Sequence, residues 1–124
     1  MTSLEVDGTD LVVEIHGLDR LMAFKNQLRI PLAHVVGVEH AGEEARKWWV
    51  GVANPGTYVA WFIKAGTFQT RPWASDRSFW DVRDPKRAIL IRLQNDPYVK
   101  LVVEVADVEA AIAQVRDALS QAQS

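Results

Sequence analysis

The segment that most constrains the fold is residues 98–105, an alternating strand that leads almost directly into an amphipathic helix. One face of this strand carries the apolar side chains Val99, Leu101, Val103 and Val105, and the opposite face carries Tyr98, Lys100, Val102 and Glu104. Asp107 then provides a helix N-cap, and apolar residues recur at helical spacing at Val108, Ile112, Val115 and Leu119. This order predicts a sheet that is covered at one place by a C-terminal helix.

The rest of the chain is typical of short strands joined by short connections. Further strands are predicted at residues 10–16, 28–32, 35–39, 58–63, 67–70, 78–82 and 88–93. Lys64-Ala65-Gly66 is predicted as a hairpin loop because glycine tolerates the backbone of such loops, and a short helix is predicted at residues 18–25. We therefore expect a mainly β (α+β) fold: a strongly bent antiparallel sheet or small open barrel of about seven strands with one C-terminal amphipathic helix.

Residues 78–93, SFWDVRDPKRAILIRL, combine basic and acidic residues with apolar runs. Aspartate bonds its own backbone in turns and proline presets φ, so Asp84-Pro85 favours a type I turn between two strands over a ligand site.

Length and composition predict a single cytoplasmic domain over residues 1–124, with residues 1–9 and 120–124 expected to fray. The net charge of −2 and the pI of about 5.9 argue against a nucleic-acid-binding surface. Cysteine is absent, which excludes disulfides and thiolate chemistry. No apolar run approaches the ~20 residues of a membrane span, so we expect any membrane contact to be peripheral.

Catalytic and metal-binding motifs are not recognisable in the sequence. The histidines, His16, His34 and His40, lack the spacing of a zinc site, and we expect them to be solvated or hydrogen-bonded. There is no nucleophile elbow or phosphate-binding glycine loop. We therefore predict a protein that is not an enzyme and that has neither a cofactor nor a metal site.

The five tryptophans are the strongest candidates for a binding surface. Trp61 and Trp80 lie in predicted strands and are expected in the core. Adjacent side chains of a strand point to opposite faces, so at least one of Trp48 and Trp49 is expected at a surface. The candidate binding residues are this pair, the basic residues before it and the connection that follows the predicted hairpin: Arg46, Lys47, Trp48, Trp49, Arg71, Trp73 and Arg77.

Four segments, VEIHGLDRL (13–21), IPLAHV (30–35), FWDVRDP (79–85) and LVVEV (101–105), resemble uncharacterised small bacterial proteins with a pleckstrin-homology-like domain. The resemblance spans nearly the whole chain and implies a bent sheet of about seven strands with a C-terminal helix over one open end. It also implies binding of phosphoinositides, peptides or proteins, and in bacterial relatives the formation of oligomeric rings. Phosphoinositide-binding members carry a basic cluster after the first strand, where this chain has only Arg20 and Lys25, with Arg29 beyond.

The leading hypothesis is a non-enzymatic interaction domain that binds a protein partner or itself, as a homo-oligomer. Two alternatives stay open. One is peripheral binding to anionic lipid through Arg46, Lys47 and the tryptophan pair. The other is a small-ligand or enzymatic pocket inside the bent sheet.

Overall fold

The computed structural model describes residues 2–16, 27–42, 52–53, 58–60, 63–69 and 76–122. The strands are β1 (Thr2–Asp7), β2 (Asp10–Ile15), β3 (Gln27–Pro31), β4 (Val35–His40), β5 (Val52–Ala53), β6 (Tyr58–Ala60), β7 (Ile63–Gln69), β8 (Arg77–Val82), β9 (Ala88–Leu93) and β10 (Tyr98–Glu104). Short 3-10 helices span Leu32–His34 and Pro85–Arg87, and α1 spans Val108–Ala122. The protein is mainly β with one C-terminal helix.

The described strands form two sheets and no closed barrel. The first sheet is antiparallel, in the order β1-β2-β3. The second has the order β4-β9-β10-β8-β7-β5, and β6 also pairs with β7. All its pairs are antiparallel except β8 with β10, which run parallel. The expectation of a purely antiparallel sheet is therefore wrong at this pair.

The parallel pair arises because β8 and β9 are consecutive in sequence but are not neighbours in the sheet. β10 lies between them, although only residues 83–87 connect them. Asp84 caps the 3-10 helix that makes this connection, since its carboxylate accepts a hydrogen bond from the Lys86 backbone N–H at 3.0 Å. The Asp84-Pro85 turn is present as predicted, but it crosses the end of a third strand rather than closing a hairpin.

Glu104, the last residue of β10, holds this crossing in place. One carboxylate oxygen of Glu104 accepts the backbone N–H groups of Arg83 and Asp84, at 2.8 and 2.9 Å. Immediately afterwards, the Val105 N–H donates to the Arg87 carbonyl at 3.0 Å. Glu104 is only 6% exposed, so these hydrogen bonds compensate for the hydration that the carboxylate loses on folding.

The main core lies between the two sheets and α1. It contains the inward-facing residues of β2, β3 and β8–β10, including Leu11, Val13, Phe79, Ile91 and Val103. Ala111, Ile112 and Val115 of α1 close it, and the Asp107 cap accepts the Ala110 N–H at 3.1 Å as the sequence predicts. A smaller core on the other face of the larger sheet surrounds Trp80, which is 1% exposed and confirms the expected burial.

Two local expectations were wrong. Lys64-Ala65-Gly66 is not a hairpin loop but lies within β7. Gly66 has a φ of 135°, which favours glycine, and it pairs with Trp80 of β8. The glycine therefore occupies a position within a strand, opposite a residue with a large ring. Residues 2–7, expected to fray, form β1 because all six pair with β2. The predicted helix at residues 18–25 and Trp61 lie outside the described residues.

We predict that Glu104→Ala lowers the free energy of unfolding by about 2–4 kcal/mol, because two backbone N–H groups lose a charged acceptor that is itself buried. Glu104→Gln keeps one carbonyl acceptor and is expected to cost about 1 kcal/mol. Urea denaturation followed by circular dichroism measures both. The matched control is Glu39→Ala, which removes an exposed carboxylate paired with Arg92 and is expected to cost below about 1 kcal/mol. Equal losses for Glu104→Ala and Glu39→Ala would contradict the role given to Glu104.

Candidate functional site: a groove at the end of the C-terminal helix

Of the residues predicted to bind, the structure describes only Arg77. Arg77 is exposed and begins β8, where its Cα pairs with that of Tyr98. The other six lie outside the described residues: Arg46, Lys47, Trp48, Trp49, Arg71 and Trp73. The predicted tryptophan surface therefore stays a prediction.

Each histidine lies close to a carboxylate. The carboxylates near His34 and His40 are distant in sequence, so the spacing of residues did not reveal them. His34 lies 2.9 Å from Asp96, and His40 lies 2.6 Å from Glu109. His16 contacts the Ser3 hydroxyl at 2.7 Å and lies 3.8 Å from Glu14. Among the described residues, no group of three or more potential ligands could hold a metal ion. The histidines thus serve hydrogen bonds between elements.

The Ser3, His16 and Glu14 side chains contain the residue types of a hydrolytic triad, but their geometry differs from one. Both the serine hydroxyl and the glutamate oxygen approach the same nitrogen, Nε2 of His16. A triad needs the acid on one ring nitrogen and the nucleophile on the other, so that the acid orients the base. All three groups are also at the surface of the first sheet. This arrangement joins β1 to the end of β2 and has no orienting acid for catalysis.

His34 and Asp96 fix the corner between β3 and β4. The Asp96 side chain is 5% exposed and accepts two hydrogen-bonding contacts, from His34 Nδ1 at 2.9 Å and from the Tyr98 N–H at 3.0 Å. The Gln94 N–H also donates to the His34 carbonyl at 2.8 Å. These contacts attach the 3-10 helix Leu32–His34 to the β9–β10 turn.

This fixed corner forms one wall of a groove of about 640 Å³. The other walls are the tip of the β1–β2 hairpin and the last two turns of α1. We call it the end groove; it is lined by Val6, Gly8, Thr9, Pro31, Leu32, Ala33, Val35, Ala118, Leu119, Gln121 and Ala122. Its volume is within the ~300–1,000 Å³ typical of ligand sites, and most lining side chains are apolar.

The hairpin wall is held by one backbone bond and one charged cluster. The Leu32 N–H donates to the Thr9 carbonyl at 2.9 Å, and Gly8 adopts a φ of 62° in the tight turn. The Arg29 guanidinium donates to Asp7 at 2.6 Å and to Asp10 at 3.0 Å. Hydrogen bonds to Asp7 and then Asp10 raise the pKa of Arg29 above its usual value.

Sequence reasoning missed the end groove because its walls are far apart in the chain. Two weak signals pointed to it. Leu119 continues the apolar stripe of α1 beyond its fully buried part, and it is only partly buried. Val6 faces the same side of β1 as the buried Thr2, yet is 38% exposed. Both are apolar side chains at the limit of the core.

Comparison with known proteins does not assign the chain to a family: no protein-family model, curated protein or solved structure matches it. Within the described part of the chain, no helix is long and apolar enough to cross a membrane.

We predict that the end groove binds the neutral apolar dye Nile red and that Ala122→Trp reduces the dye's fluorescence enhancement by half or more. Ala122 is exposed on the groove wall, so a large ring there fills space without entering the core. The matched control is Ala110→Trp, which places the same ring on an exposed position in the first turn of α1. Equal enhancement in the two variants would show that the dye binds elsewhere.

Proposed function

We propose that this protein is a non-enzymatic interaction domain whose end groove receives apolar side chains from a segment of a partner protein. The observation that carries the proposal is the groove itself, an apolar concavity formed by three elements that are tied together. Backbone and side-chain hydrogen bonds hold two of its walls, and the third is a helix anchored in the core. A site that exists before binding loses little conformational entropy on binding.

The shape of the groove favours a protein segment over a small molecule. Six lining residues are exposed, so the mouth is wide: Val6, Gly8, Thr9, Ala33, Gln121 and Ala122. Small-ligand sites usually enclose 70–90% or more of the ligand surface, and a wide groove does not do so. A segment of a protein needs only one face buried, as an amphipathic helix does in a groove.

A pleckstrin-homology-like fold and a cytoplasmic location belong to the same proposal. The mainly β arrangement and the single C-terminal helix support the first. The acidic pI and the lack of cysteine are compatible with the second.

The residues that the sequence singles out form a second proposed contact surface: Arg46, Lys47, Trp48, Trp49, Arg71, Trp73 and Arg77. Self-association through this surface predicts that the double variant Trp48→Ala/Trp49→Ala shifts the protein from oligomer to monomer. Size-exclusion chromatography with light scattering measures the change, with Val36→Ala, an exposed apolar truncation on β4, as the control. A wild type that is strictly monomeric would remove self-association from the proposal.

Photo-crosslinking tests the groove as a protein-binding site. We expect a photoreactive phenylalanine analogue in place of Ala33 to crosslink one protein in the native host, and the same analogue in place of Ala113 to miss it. Both positions are exposed, but only Ala33 lines the groove. The captured protein, once identified and purified, should bind Ala122→Trp at least tenfold more weakly than wild type.

Two results would contradict the proposal. Identical products from both crosslinking positions would show that the groove has no special access to partners. Homodimers as the only product from Ala33 would assign the groove to a second copy of the chain.

A further inference from the structure

Resting on the proposed function, we infer that the end groove selects a basic amphipathic segment, in which lysine or arginine side chains flank the large apolar side chains that enter the groove. The inference depends on the charges around the apolar walls. Among the described residues, carboxylates outnumber basic groups there.

None of the described residues that line the groove is charged, so the floor and walls favour apolar groups. The charged residues next to lining residues in sequence are all acidic: Glu5, Asp7, Asp10 and Asp117. Asp117 is exposed and lies one helical turn before Gln121, on the same side of α1. Glu5 and Asp7 flank Val6 in β1, so their side chains lie on the opposite face of that strand, where Arg29 pairs with Asp7 and Asp10. Counted with Arg29 and with Arg116, which precedes Asp117, the described charges around the groove have an excess of two negative charges.

The nearest described cation on the hairpin side does not reverse this charge. Arg29 is shared between Asp7 and Asp10, which leaves this group of three with an excess of one negative charge. His34, beside Ala33 and Val35, contacts the buried Asp96 and not the groove mouth. A cation of the partner would thus meet acidic groups that still attract it.

The end of α1 adds to the negative potential. The last carbonyl groups of a helix lack partners within the helix and carry about half a negative charge in total. Cations in the last turn often offset this potential, but the last turn of α1 has no basic residue. Its residues Leu119, Gln121 and Ala122 form one wall of the groove, so the negative end of the helix lies at the groove.

Apolar burial and rim charge are expected to act on different quantities. The apolar walls supply most of the affinity, whereas exposed rim charges set the choice of partner, the association rate and its salt dependence. Each exposed ion pair changes affinity by about 1.5- to 5-fold, and the effect falls as ionic strength rises.

The test uses three synthetic helical peptides of about four turns. One combines a leucine face with lysine elsewhere, the second has glutamate in place of every lysine, and the third has serine in place of every leucine. Fluorescence anisotropy of dye-labelled peptides measures binding at low and high salt. We expect the leucine–lysine peptide to bind at least tenfold more tightly than either of the others, with an affinity that falls as salt is added.

Charge reversal on α1 locates the effect. Asp117→Lys should weaken the leucine–lysine peptide by about 3- to 10-fold and strengthen the leucine–glutamate peptide. Glu109→Lys changes the net charge equally at the opposite end of the same helix and should change neither affinity by more than about twofold. Ala122→Trp should weaken the leucine–lysine peptide at least tenfold. Both charge variants alter exposed side chains. Glu109→Lys also removes the contact with His40, so circular dichroism is used to verify that both variants fold.

The outcomes separate this inference from the proposed function. If the lysine and glutamate peptides bind equally well, and both are weakened by Ala122→Trp, the charge selection is wrong while the groove remains a docking site. Equal effects of Asp117→Lys and Glu109→Lys would likewise overturn it, since the attraction would then come from net charge alone. If neither leucine peptide responds to Ala122→Trp, the groove itself fails as a binding site.

Discussion

The rest of the structure depends on the hydrogen bonds between the Glu104 carboxylate and the backbone of the β8–β9 connection. A carboxylate in a nearly dry site is costly unless donors surround it, and the N–H groups of Arg83 and Asp84 supply them. These bonds hold the end of β10 beneath a turn that would otherwise close a simple hairpin. β10 therefore occupies the space between β8 and β9, and Leu101, Val102 and Val103 become fully buried.

The position of β10 in turn determines that of the helix. α1 begins four residues after Glu104, so it starts beside the centre of the larger sheet and crosses toward the smaller one. Its polar side chains reach backbone carbonyls of both sheets: Gln114 donates to Leu4 of β1 at 3.0 Å, and Arg116 donates to Val38 of β4 at 3.1 Å. One helix therefore covers the edge strands β1 and β4, whose carbonyl groups would otherwise be more exposed. The end of that helix forms a wall of the groove.

Local patterns predicted the elements better than their arrangement. The strand at Ala88–Leu93, the strand that begins at Tyr98 and the cap at Asp107 all depend on alternation or capping within a few residues, and the structure has them as expected. The parallel pairing of β8 and β10 could not be predicted, because a connection of hairpin length normally joins neighbouring strands. The hairpin loop predicted at Gly66 was wrong for a related reason. A glycine favours a turn locally, but its position opposite Trp80 is determined by the pairing of strands in the sheet. The end groove combines three distant segments, so no local pattern contains it.

The groove exists because small side chains stand where the apolar face of α1 continues past the core. Ile112 and Val115 fill the space beneath the first part of the helix, whereas Ala118 and Ala122 fill little near its end. Larger residues there would pack against Leu32 and Val35 and extend the core, which would stabilise the fold by about 1 kcal/mol or more for each added pair of methylene groups. The chain leaves this space unfilled, and among the described residues around it carboxylates outnumber basic groups. An apolar concavity that is braced by hydrogen bonds supports the proposal that a partner covers it, because contiguous exposed apolar surface often marks an interaction site.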